Sequence, residues 1–160
     1  MARRLYGFSQ RGLMVAILAA GTFMVGAATA QGTDPAAQVE ARQDQMKRLR
    51  DAMKTTGAFV KDGTGSAADV KAAAATISEV AGKIPSLFPV GTGVGIGDSE
   101  ALPAVWENWD KFSAANKAMA DAAPKLAAAA DMGDKSAIGA AMKGVGASCS
   151  GCHDNFRVKK

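Results

Sequence analysis

The chain has 160 residues, enough for one domain and too few for two comfortable ones, with 19 Lys+Arg against 15 Asp+Glu and a single histidine. Three of the basic residues, Arg3, Arg4 and Arg11, fall within the first thirty positions, which hold no acid, so the remainder balances at 16 against 15, or +1. A nucleic-acid partner is therefore not implied, and no zinc-finger, RNA-binding or base-flipping pattern is present.

Those arginines lead into a nearly continuous apolar run, Leu13 to Ala28, and Ala28-Thr29-Ala30 supplies the small residues that a signal peptidase needs. The pattern predicts a secretory signal peptide over 1–30, cleaved after Ala30, with a single mature domain over 31–160. An uncleaved membrane anchor fits less well. A spanning helix wants about 20 apolar residues, and Gly21, Thr22 and Gly26 interrupt this run. Arg3-Arg4 suggests twin-arginine export, but the apolar run behind it suits the general secretory route equally. Either route predicts a periplasmic protein that is not membrane-anchored once cleaved.

The mature part is rich in alanine and poor in aromatics, which favours helix. Alanine buries little surface, so small close-packed helices gain from a large apolar ligand at their centre. Asp34 is a good N-cap and Pro35 a good first residue for a helix running to about Val60, with Val39, Met46, Leu49, Met53 and Val60 on one stripe. Asp62-Gly63-Thr64-Gly65 ends it. Ser66 and Asp69 resemble a capping box, opening a second helix with Val70, Ala73, Ala74, Ile77, Val80, Ala81 and Ile84 on one face until Pro85.

Residues 85–102 read as irregular, with Gly91, Gly93, Gly95 and Gly97 alternating. Helix connections in bundles usually take about 2–8 residues, so this one is either a flexible crossover or a segment lying against a cofactor, where glycine permits close approach. It has neither the lysine nor the spacing of a phosphate-binding loop. Pro103 starts a third helix with Val105, Trp106, Trp109, Phe112, Met119, Ala123 and Leu126 inward, and Pro124 predicts a bend near residues 120–124. Asp134 caps a fourth, on which Ile138, Ala141, Met142, Val145, Cys149, Cys152, His153 and Phe156 share a face. With no competing strand pattern, the fold class is all-α, an antiparallel four-helix bundle.

The chemistry lies in Cys149-Ser150-Gly151-Cys152-His153. Haem c is held by two thioether bonds, formed when paired thiols add to the two porphyrin vinyl groups. Cysteines three apart on a helix project from one side, and the histidine four residues after the first can reach the iron from the same helix. A thioredoxin-like redox pair would need a βαβ context, and a structural zinc site needs four N or S ligands where this chain has three. A plain disulfide in an apo bundle fits the cysteine count, but leaves unexplained why the only histidine follows the second cysteine. Export agrees with haem, which bacteria attach outside the cytoplasmic membrane.

The attachment motif sits seven residues from the C-terminus, on the last helix. In that arrangement, and in Arg42-Gln43-x-x-Met46, Leu87-Phe88-Pro89-x-Gly91-Thr92-Gly93, Leu102-Pro103-x-x-Trp106 and Gly146-x-x-Cys149-x-x-Cys152-His153-x-x-Phe156-Arg157, the chain resembles class II cytochromes c, that is, cytochrome c′ and its low-spin, methionine-ligated relatives. The resemblance covers about residues 34–160. It implies one covalent haem c, with Cys149 and Cys152 as attachments and His153 as proximal ligand. It places Arg42 and Gln43 by the haem propionates, and Thr92 and Gly93 in a loop near the haem. Met46 falls at the position facing the open side of the haem, where a methionine either binds iron or only fills space; on the residues alone it is one more member of a core stripe.

The expectation that follows is one-electron transfer with a redox partner protein, His153 and Met46 both ligating iron. The alternative is a five-coordinate protein binding nitric oxide or carbon monoxide. Neither is an enzyme, because no nucleophile–base or carboxylate arrangement can be placed around the haem. The resemblance also implies a homodimer built on the first two helices.

Overall fold

A computed structural model describes residues 34–159, so the expected signal peptide and cleavage site lie outside the described residues. Helix α1 (Pro35–Asp62) begins where the sequence places it. The Asp34 carboxylate accepts from the Ala36 amide at 3.0 Å, and proline at the first position loses no hydrogen bond. Gly63 ends the helix in the left-handed conformation (φ 71°), its amide donating to the Phe59 carbonyl. Helix α2 (Ala67–Lys83) opens on a complete capping box: Ser66 Oγ accepts from the Asp69 amide, and the Asp69 carboxylate accepts from the Ser66 amide. All six apolar positions expected inward from Val70 to Ala81 are buried. Pro85 falls in a 3₁₀ turn, Ile84–Leu87, that closes this arm. A long connection then leads to α3 (Ala104–Glu107), α4 (Trp109–Met132) and α5 (Lys135–Phe156).

Two expectations need correction. The third helical segment, read as one helix from Pro103, is interrupted at Asn108 (φ −128°, ψ 48°), while α4 continues through Pro124. Pro124 faces solvent, so the carbonyl deprived of its N–H partner can turn to water. The buried stripe of α1 also differs. It is Val39, Arg42, Leu49, Ala52 and Thr56, while Met46, Met53 and Val60 are only half-buried. Thr56 is tolerated because its hydroxyl donates to the Ala52 carbonyl one turn back at 3.0 Å.

The long helices pack in a ring, α1 to α2, α2 to α4, α4 to α5 and α5 to α1. Lys71 pairs with Asp131 at 2.6 Å and Asn116 Nδ2 donates to the Ala81 carbonyl at 3.0 Å, so α2 and α4 run antiparallel. Their core is Val70, Ile77, Val80, Phe112, Leu126, Ile138 and Val145, each essentially out of contact with solvent. The α1–α5 side is the most sparsely packed of the four. Among the described residues, no helix is long and apolar enough to cross a membrane.

Because Leu126 is fully buried, Leu126→Ala is expected to lower unfolding free energy by about 2–5 kcal/mol, read as a lower urea midpoint at unchanged slope. An effect below the cost of a surface change would contradict the packing described.

Candidate functional site

Along the α1–α5 seam the two helices touch through glycines. A Cβ on Gly139 would stand 3.4 Å from Val60 Cγ1, and one on Gly57 would stand 3.3 Å from Met142 Cε. Each step back along α1 is thus matched by a step forward along α5. Carried fourteen residues on from Val60 and Gly139 along two straight helices, the same register would bring Met46 level with His153.

Cys149, Cys152 and His153 lie half-buried on the inner side of α5, as their spacing predicts. Both thiols are free. Burial raises the Cys149 pKa, and burial together with the neighbouring Cys149 pushes Cys152 up to about 11. Burial, assisted by the charge of Arg157, lowers the His153 pKa. At neutral pH the imidazole is therefore uncharged and keeps a lone pair to offer a metal. Phe156, three residues beyond His153, anchors this end of α5. It stacks edge-on against Phe112 at 5.4 Å, and Phe112 meets Phe88 at 4.8 Å and Trp109 at 5.3 Å.

The other expected site residues gather around Arg42, which is 5% exposed. Its Nη1 donates to Thr92 Oγ1 (3.1 Å) and the Leu87 carbonyl (3.4 Å); its Nη2 donates to Ser99 Oγ (2.8 Å) and the Thr92 carbonyl (2.9 Å). The guanidinium also lies 4.5 Å from the Phe88 ring centroid. Gln43 Nε2 donates to the Asp98 carbonyl at 3.0 Å. Arg42 and Gln43 thus bind the loop itself. Thr92 is buried in this cluster, its hydroxyl donating to the Pro89 carbonyl at 2.8 Å. Gly93 lies against Trp106, whose indole Nε1 donates to the Phe88 carbonyl at 2.9 Å.

Sequence reasoning missed Ser99, Phe88 and Trp106 as parts of this cluster. A serine after a Gly-rich stretch and next to Asp98 carries the signature of a solvated turn, and no local signal marks it as buried. The donor set nonetheless fits a haem. Two protonated thiols and a neutral imidazole share one helix side, and Arg42 is a buried cation whose partners are all neutral oxygens, a position that an anion such as a propionate improves.

Residues 37–157 match the family described as Cytochrome C′. The chain is 37% identical over 149 residues to a cytochrome c′ of Rhodospirillum rubrum, covering 93% of this chain and 99% of that one. It is 42% identical over 132 residues to a cytochrome c-556 of Agrobacterium tumefaciens, covering 78% and 100%. Among solved structures it is similar to the nitric oxide complex of a single-site variant of Alcaligenes xylosoxidans cytochrome c′, with TM-score 0.70, 32% identity, and 80% and 98% of the two chains covered.

A Cβ on Gly93 would stand 3.1 Å from Trp106 Cζ3, and the indole cannot retreat while its N–H holds the Phe88 carbonyl. Gly93→Ala should therefore cost about 1–3 kcal/mol and alter tryptophan fluorescence in the folded protein. Unchanged emission and stability would show that the loop yields instead.

Proposed function

Because the chain belongs to the cytochrome c′ family, we propose that it acts in the periplasm, freed of residues 1–30, as a mono-haem protein binding nitric oxide or carbon monoxide on the haem face away from His153. Members of the family carry one covalent haem c, and the Cys149–His153 pentapeptide is the motif that takes it. The family is one of haem electron carriers and gas binders, not of classical enzymes.

When bound, the haem supplies an iron that exchanges one electron and accepts a diatomic gas. The chain's own residues do the rest. Cys149 and Cys152 hold the group covalently from one side of α5. His153 presents an uncharged imidazole to the iron from the next position on the same helix. Arg42 offers its buried charge to a propionate. Across the seam, Met46, Leu49 and Met53 present apolar side chains, which favour a neutral diatomic ligand over an anion. The reading is carried by the attachment pentapeptide, half-buried on α5, in a family whose solved relatives include a nitric oxide complex. A homodimer through α1 and α2 belongs to the same reading.

The helix register favours one further reading, the electron carrier first expected from the sequence. If Met46, which the register would bring level with His153, gave iron a thioether sulfur, the reduction potential would rise and the gas site would close. The family resemblance supports the gas binder better, and Met46 then fills space.

Mass spectrometry of periplasmic protein should show a chain beginning at Gln31 with one added haem. A bare polypeptide would refute both readings.

The visible spectrum separates them. The gas binder is high-spin when ferric, binds carbon monoxide when ferrous, and keeps its spectrum in Met46→Leu. A low-spin ferric spectrum whose methionine-to-iron charge-transfer band disappears in Met46→Leu establishes the carrier.

A further inference from the structure

Three segments of the chain meet at one hydroxyl that the haem-binding account leaves unused. Ser99 Oγ accepts from Arg42 Nη2 at 2.8 Å and from the Ala101 amide at 3.3 Å, and donates to the Thr92 carbonyl at 2.8 Å. Ser99 is buried, as are Arg42 and Thr92. Two residues on, the connection is strapped to the end of α5. Ala101 and Arg157 face each other in an antiparallel bridge, the Leu102 amide donates to the Phe156 carbonyl at 3.0 Å, and the Val158 amide donates to the Glu100 carbonyl at 2.9 Å. The Arg157 amide returns to the His153 carbonyl itself at 3.2 Å. Arg42 lies one turn before Met46 on α1, and Phe156 lies one turn after His153 on α5.

We propose that Ser99 is a positioning residue for the haem face opposite His153: it locks α1 to the α5 strap, and so sets how far the Met46 segment stands from the His153 segment. The glycine contacts that fix this separation at the Val60–Gly139 end do not extend to the haem end, where the loop takes over. Without the hydroxyl, the buried guanidinium loses an acceptor and the Ala101 amide loses a side-chain partner. Arg42 then shifts toward whatever oxygen it can reach, and α1 moves with it. The proposal rests on the haem reading above, and concerns how the second face is held rather than what occupies it.

The test uses the haem-loaded protein and compares Ser99→Ala, Ser99→Thr and, as a control for lost stability, Ile138→Val at the far end of α5. Ser99→Ala should change the ferrous carbon monoxide association rate by about three- to tenfold and shift the ferric visible bands. Ser99→Thr, which keeps the hydroxyl, should restore both, whereas Ile138→Val should lower Tm with both unchanged.

Should wild type bind no carbon monoxide, the gas-binding reading fails. The lock is then read in the methionine-to-iron band, which must weaken or shift in Ser99→Ala and recover in Ser99→Thr. If Ser99→Ala does not accumulate, Thr92→Val removes the hydroxyl on the other terminal nitrogen of Arg42 and should give the same signature. A Ser99→Ala or Thr92→Val protein that loses Tm but keeps wild-type bands and ligand rate overturns the proposal.

Discussion

At the Val60–Gly139 end of the bundle, α1 and α5 approach closely because glycines line the seam; further along α5, two thiols and an imidazole lie half-buried. The separation of these two helices constrains everything else. The remaining sides of the ring are closed by alanine and branched aliphatic side chains that bury well against one another. The α1–α5 side is built from residues too small or too flexible to fill the same space at both ends. A flat, apolar, covalently held group is the kind of filler that such a wall lacks.

A long connection would ordinarily be the weakest part of a small helical domain, since its backbone needs partners and its ordering costs entropy. Here a buried cation organises it. Arg42 gathers two carbonyls and two hydroxyls from residues 87–99 and rests on the Phe88 ring. Glycines turn the chain where the geometry demands a positive φ, at Gly91 (87°) and Gly95 (97°). Neutral oxygens solvate the guanidinium but do not neutralise it, and burial draws its pKa down although it stays charged. The same side chain thus builds the loop and leaves an electrostatic demand that an anionic group can answer.

The reactive groups are held in forms that suit their assembly. A thiol whose pKa is pushed up to about 11 is protonated at neutral pH, and so is slow to oxidise. The adjacent imidazole is biased the other way, toward its neutral, ligating form. Both shifts have burial as their largest cause, and both follow from placing these residues on the inward side of one helix rather than on a loop.

What could be read from the residues alone was whatever depends on neighbours in the chain. Helix starts at Asp34, Ser66 and Asp134 are decided by a side chain reaching an amide two or three residues on, and all three stand as expected. The inward face of α2, and the projection of Cys149, Cys152 and His153 from one side of α5, follow from helical periodicity. Tertiary contact decided the rest. A periodic stripe nominated Met46, Met53 and Val60 for the core, but Arg42 and Thr56 took the deeper positions because partners across the fold, or one turn back, satisfied their polar atoms. No proline marks the interruption at Asn108, and α4 runs through Pro124, which faces solvent where water can serve the carbonyl it leaves unpaired. Ser99 could not have been singled out, since its role exists only where α1, the loop and the end of α5 converge: a hydroxyl's worth depends on what is buried beside it, and residues 57 positions apart in the chain are neighbours only in the folded state.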